Sequence, residues 1–179
     1  MAVFTVIDHT EVGAGGAAYW EKTSIPTDGT YDHLLIKASL RGEYAGRYNV
    51  SLSLTVNGVN SSVYSDTAFY AAAAAITSTR ENARAQLVGA EWPANDALAG
   101  TFGDIEMWIP HYANSTNYKP FIVKAVAPNN STTDSQWYLG AMAGLYAQTT
   151  AISSIKIASG HGDDLEQYST ITLYGITGV

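Results

Sequence analysis

From Tyr48 to Val56 the chain alternates without a break, with Tyr48, Val50, Leu52, Leu54 and Val56 in one phase and Asn49, Ser51, Ser53 and Thr55 in the other. A period of two gathers the apolar side chains on one face of an extended chain, whereas a helix would scatter them around its axis. The segment reads as a half-buried strand. It ends at Asn57-Gly58, the dipeptide best suited to the two positive φ angles of a type I′ turn, and Val59 to Tyr64 reads as the return strand of a hairpin.

The same period recurs at Leu34, Ile36, Ala38 and Leu40, opposed by Leu35, Lys37, Ser39 and Arg41. A one-residue slip would bury Lys37 and Arg41, so the register is well specified. Gly103, Ile105, Met107 and Ile109 alternate with Asp104, Glu106 and Trp108 up to Pro110. Phe121, Val123 and Ala125 repeat the pattern before Pro128 and the Asn129-Asn130-Ser131 turn residues. Trp137 to Tyr146, Ile152 to Ala158 and Tyr168 to Ile176 give three further strands, and Val3 to Asp8 and Tyr19 to Thr23 open the chain. Some nine or ten strands at this spacing predict an all-β, antiparallel β-sandwich, and 179 residues fit one domain spanning 1–179.

The exception is the stretch 66–93, where Ala71 to Ala75 form an alanine run followed by polar residues. Alanine favours helix, although so short a segment is marginal alone. Two readings stand: a short helix across one end of the sandwich, or an extended arm contacting a partner, with Gln86 to Trp92 adding a strand. Gly13, Gly15 and Gly16 predict a loosened or bulged segment near the N-terminus.

The chain holds nine Lys and Arg against sixteen Asp and Glu, a net charge of −7. Without a basic stripe this disfavours nucleic-acid binding. The absence of cysteine removes disulfides and thiolate metal sites. No apolar run reaches the ~20 residues needed to span a bilayer, and the first residues lack the pattern of an export signal, so neither a membrane role nor secretion is expected. The Asn-x-Ser/Thr sequons at Asn49, Asn60, Asn114 and Asn130 read as by-products of composition.

Little in the sequence points to catalysis. His9, His33, His111 and His161 lack two-ligand metal spacing. Gly160 to Glu166 crowds Asp163, Asp164 and Glu166 with His161 in a glycine-rich loop that has the hard oxygens of a calcium site without an EF-hand's spacing. A glycosidase pair drawn from those carboxylates would need a separation that sequence does not fix. No nucleophile elbow or phosphate-binding glycine loop is present, and no catalytic residue, cofactor or essential metal is expected. The candidate contact residues are aromatics expected near loops or on the outer face: Trp20, Tyr70, Trp92, Trp108, Tyr112 and Tyr118, with Tyr44 beside them. Trp108 shares the phase of Asp104 and Glu106, so either it is exposed or something covers it.

Three segments carry a resemblance: Ile25-Pro26 leading into Tyr31-Asp32-His33-Leu34-Leu35-Ile36-Lys37, the run Ile109 to Lys119 with its Tyr112-Ala113-Asn114-Ser115-Thr116-Asn117-Tyr118-Lys119 core, and the ending Tyr168 to Ile176. In order and spacing the chain resembles small structural proteins of tailed-bacteriophage virions. The resemblance implies a jelly-roll-like sandwich serving as a head decoration or cement protein, bound to the major capsid protein or another virion protein, present on the virion and assembled as a homotrimer. It implies no catalytic residues. The alternative is a tail- or fibre-associated module that recognises a host-surface glycan through exposed aromatics. A glycan-cleaving enzyme is a third class.

Overall fold

The computed structural model describes residues 1–72, 75–129 and 137–178. Ala73 and Ala74 of the alanine run and Asn130-Ser131 of the turn after Pro128, with the sequon at Asn130, lie outside them. Every regular element among the described residues is a strand: β1 (Val3–Glu11), β2 (Trp20–Lys22), β3 (His33–Leu40), β4 (Asn49–Val56), β5 (Tyr64–Ala72), β6 (Ala75–Arg84), β7 (Glu91–Pro93), β8 (Gly103–Pro110), β9 (Lys119–Ala127), β10 (Tyr138–Tyr146), β11 (Ile155–Ser159) and β12 (Thr170–Thr177).

These form an antiparallel β-sandwich of two unequal sheets. The large sheet has eight strands in the order β1-β12-β3-β8-β9-β10-β5-β6, and the small one four, β2-β11-β4-β7. The first four strands of the large sheet and all four of the small one are ordered as in a jelly roll, with β1 to β2, β3 to β4, β7 to β8 and β11 to β12 each crossing between sheets. Two hairpins widen the large sheet on one side: β9–β10, inserted after β8, and β5–β6, inserted after β4.

The period-two reading holds for the aliphatic residues of β3, β4 and β8. Leu34, Ile36, Ala38 and Leu40 of β3, Val50, Leu52, Leu54 and Val56 of β4, and Ile105, Met107 and Ile109 of β8 are all buried in one core with Phe121, Val123, Ile155, Ile157, Ile171 and Leu173. Each such aliphatic side chain contributes roughly 1.5–3 kcal/mol when fully removed from water. Tyr48 departs from the phase of its neighbours: it precedes β4 and is 38% exposed.

The Asn57-Gly58 turn forms, but the hairpin does not. Asn57 and Gly58 have φ of 54° and 65°, and Val59 N–H donates to Val56 C=O at 3.0 Å. Yet β4 pairs with β11 and β7, and the chain after the turn crosses to the large sheet. Side chains redirect it. Asn57 Oδ1 accepts from the backbone N–H groups of Ser153 and Ser154 at 2.8 and 3.1 Å, and its Nδ2 donates to Ala151 C=O at 2.9 Å. The turn is thereby fastened to the loop that leads into β11. Tyr64 Oη accepts from Val56 N–H and donates to Val59 C=O, both at 2.9 Å, binding the start of β5 to the turn. Burial pushes this phenol's pKa up to about 12.

Among the described residues both flanks of the alanine run are strand, which matches the extended reading and not the short helix. Residues 64–72 and 75–84 pair with each other, and β5 pairs with β10 of the same chain along its length. Five alanines are too few to nucleate a helix, and their flanks carry strand periodicity: Tyr64, Asp66 and Ala68 are buried on one face while Thr67 and Phe69 are exposed on the other. The expected strand within Gln86 to Trp92 is confined to β7 at its end.

Arg41 corrects the sequence reading most sharply. Lys37 stays on the outer face, but Arg41, just past β3, is only 2% exposed. Its guanidinium donates to the carbonyls of Asn95, Ala97, Leu98 and Thr101 at 2.9–3.1 Å and forms an ion pair with Glu166. One planar fork thus ties the β7–β8 connection to the loop before β12. Replacing Arg41 with Met should cost about 1–3 kcal/mol, because it leaves part-buried carbonyls without their donor, while Glu166 can turn to solvent. Arg41→Lys should recover only part of this. Urea denaturation of the three proteins checks both expectations.

Candidate functional site

The six aromatics do not form one surface, and three of them are core. Trp20 points inward from β2 with Nε1 donating to Asp8 Oδ2 at 3.2 Å, Trp92 is fully buried on β7, and Tyr112 is buried with its hydroxyl donating to Pro26 C=O. β2 and β7 are each three residues long, too short for the alternation to reveal which face a Trp takes. Asp163 Oδ2, Val50 Cγ2 and Trp92 Nε1 would lie 2.9, 3.0 and 3.4 Å from a Cβ at position 42, which is why Gly42 stands there. Tyr70 is half-buried and stacked on Tyr138 with centroids 5.3 Å apart. Trp108 is half-buried on the outer face of the large sheet beside His33, at 5.0 Å. Tyr118 alone of the six is well exposed, on the loop before β9.

The outer face of the large sheet carries the apolar surface that sequence placed in those aromatics. Register aligns Val6, Tyr174, Leu35, Trp108, Ile122 and Ala143 in one row across β1, β12, β3, β8, β9 and β10. The row one register step away is charged: Glu106 bridges Lys37 at 2.6 Å and Lys124 at 3.3 Å, and the hydrogen bond from Lys37 chiefly lowers its pKa. Beyond it on the inserted hairpins, Phe69, Ile76 and Leu139 are 61%, 82% and 59% exposed, with Ala71 between Leu139 and Ile76. Single exposed apolar residues need no explanation, but a contiguous cluster on a sheet face marks an interaction surface. The signal was present in sequence, since Ile122 and Leu139 sit in the phase opposite to the core. β6 closes this edge with Arg80, Glu81 and Arg84, and charge on an edge strand discourages indiscriminate pairing.

Two concavities meet at Glu91. One, of about 610 Å³, is lined by Arg47, Tyr48, Asn49, Ser51, Glu91 and His161, and the His161 ring rests on Tyr44 at 4.8 Å. The other, of about 170 Å³, lies under β5 and β6 and includes Asp66, Tyr70, Glu81, Glu91 and Tyr138. Burial raises the Glu91 pKa, with Arg47 opposing. Sequence analysis missed both, because their residues come from segments far apart in the chain.

The acidic loop serves the fold. Asp163 Oδ1 accepts from Ser159 Oγ at 2.5 Å, Glu166 is held by Arg41, and Glu43 N–H donates to Asp164 C=O at 2.9 Å. Among the described residues no three His, Asp or Glu side chains are placed to hold a metal ion. Of the four histidines the fold brings two together: His33 and His111 contact edge-to-face at 4.7 Å.

Comparison with protein-family models, with curated proteins and with solved structures finds no match to this chain.

His33 makes a pH prediction. Its Nδ1 accepts the His111 backbone N–H at 3.0 Å, and burial, then His111, lowers its pKa. The unfolded chain therefore binds a proton that the folded His33 resists, and stability contributed by neutral His33 is lost as pH falls below about 6.5. Asp66 and Glu91, whose pKa values are raised by burial, act in the opposite sense at lower pH. His33→Asn keeps an acceptor without titrating in this range. Its melting temperature should fall less between pH 7.5 and 5.5 than that of the wild type, as calorimetry would show.

Proposed function

We propose that this chain is a non-enzymatic virion structural protein of the capsid-decoration kind, which docks on a larger protein shell through the outer face of its large sheet. The exposed cluster of Phe69, Ile76 and Leu139, with Ile122 exposed on the far side of Lys124, carries the reading. A closed jelly-roll core needs none of these side chains, and they lie on hairpins inserted into it. The resemblance of the Tyr31–Lys37, Ile109–Lys119 and Tyr168–Ile176 segments to virion proteins supplies the kind of partner, the major capsid protein. Trimerisation belongs to the same proposal, because several docked copies in one oligomer bind at high effective concentration.

A second reading is favoured by the larger concavity at Glu91. Tyr48 offers a ring face, while Arg47, Asn49, Ser51 and Glu91 offer donors and acceptors of the kind that hold sugar hydroxyls. This suits the receptor-binding alternative better than Trp108 or Tyr112 does, since Tyr112 is core. Glycan-array binding lost in Tyr48→Ala would support it.

The two readings separate on copy number in purified particles of the phage that carries the gene, measured against the major capsid protein by mass spectrometry. Decoration predicts copies on the order of hundreds per particle, as symmetric multivalent docking requires. The doubly substituted Phe69→Thr, Leu139→Thr protein should fall by about tenfold or more on the same particles while its melting temperature stays close to wild type. A dozen copies, or occupancy indifferent to those substitutions, would overturn the decoration proposal.

A further inference from the structure

The smaller concavity is built with a charge imbalance that the fold itself does not need. Asp66 on β5 stands directly opposite Glu81 on β6 in the antiparallel register. Like charges so placed destabilise a strand pair. Asp66 is 4% exposed; its Oδ2 accepts from Val88 N–H at 3.4 Å, and its Oδ1 has no hydrogen-bond partner among the described residues. Glu91 faces the same space from β7. Arg84 pairs with Glu81 at 3.3 Å and its charge also acts on Asp66, while Arg47 acts on Glu91, so three carboxylates are set against two cations. An apolar residue at position 66 would pack under the 87–90 segment at lower cost, because a buried, half-satisfied carboxylate is expensive.

The walls narrow the choice of ligand. Tyr70 and Tyr138 stack at 24° between planes, and Tyr138 Oη donates to Gly89 C=O at 3.1 Å, holding that pair at the groove. Gly89 lies so close over β5 that a Cβ there would come within 3.1 Å of Asp66 Oδ1 and 2.7 Å of Met142 Sδ. The groove is thus a narrow slot with carboxylates at its floor and rim and aromatic rings beside them. Carboxylates and π faces both attract an organic cation. The acids do not converge as metal ligands do, which favours a larger, softer cation.

We propose that the slot formed by Asp66, Glu81, Glu91, Tyr70 and Tyr138 binds an alkylammonium group, the chemistry shared by a lysine side chain of a partner and a free aliphatic diamine. Glu81 and Glu91 flank the ammonium, the aromatic pair lines its alkyl stem, and Asp66 supplies buried negative charge beneath. Its volume of about 170 Å³ takes one side chain and no folded segment. The site stands independently of the decoration reading, because it lies on the face of β5 and β6 opposite to Phe69.

The test is titration of ¹⁵N-labelled protein with 1,4-diaminobutane in one arm and a short lysine-containing peptide in the other, following the amides of Val88 and Gly89 at low salt. Saturable shifts are expected in at least one arm. A peptide that binds more tightly than the diamine identifies a partner's lysine, and the reverse order a free amine. Asp66→Asn and Glu91→Gln should each weaken binding about tenfold or more. Asp104→Asn, which removes an equal charge on the outer face, should leave it unchanged. Melting temperature guards against misfolding, and Asp66→Asn should not lower it. No saturable shift in either arm, or equal weakening by Asp104→Asn, would overturn the assignment.

Discussion

The sandwich depends on a mismatch in width. A sheet buries its inner face only where another layer covers it, and here four strands face eight. The jelly-roll part of the large sheet is matched strand for strand, so its alternating residues form a closed core. The inserted hairpins extend beyond that cover. Under β9 and β10 the core continues through Phe121, Val123 and Met142, and the start of β5 joins it at Tyr64, but under the rest of β5 and β6 the 87–91 segment lies across the sheet. The inner face there turns polar at Asp66 and Glu81, and a groove is left.

The same insertions explain the outer face. On the outer face the Lys37–Glu106–Lys124 ladder runs from β3 through β8 onto β9 and keeps that part of the surface solvated. Past β9 the ladder stops, and Phe69, Leu139 and Ile76 stand exposed together on β5, β10 and β6. The larger concavity is built on β4, β7 and the loops beside them, whereas the exposed apolar cluster and most of the slot lie on elements added to the jelly-roll fold. That placement lets contact chemistry vary while the core is kept.

Polar side chains do the joining that β-ladders cannot. Arg41, Asn57 and Tyr64 each satisfy backbone groups in connections that cross from one sheet to the other. Buried backbone carbonyls and amides must be paired somewhere, and these side chains supply partners where the chain leaves a strand. Arg41 illustrates why such residues are hard to anticipate: in sequence it continues the solvent-facing phase of Lys37, and only the arrival of the 95–101 and 164–166 segments makes burial favourable.

The sequence by itself determined the all-β class, the bounds of β3, β4 and β8 to within a residue or two, and the inward phase of their aliphatics, because period-two alternation is a local property. It also determined the bend at Asn57-Gly58, since positive φ is a matter of those two residues. Only the tertiary structure decided that the bend would lead to the other sheet and that Trp20, Trp92 and Tyr112 would be core. It alone joined Asp66, Glu81 and Glu91 around one groove. Those outcomes rest on contacts between residues distant in the chain, whose energies outweigh local preference and leave no periodic trace in the sequence.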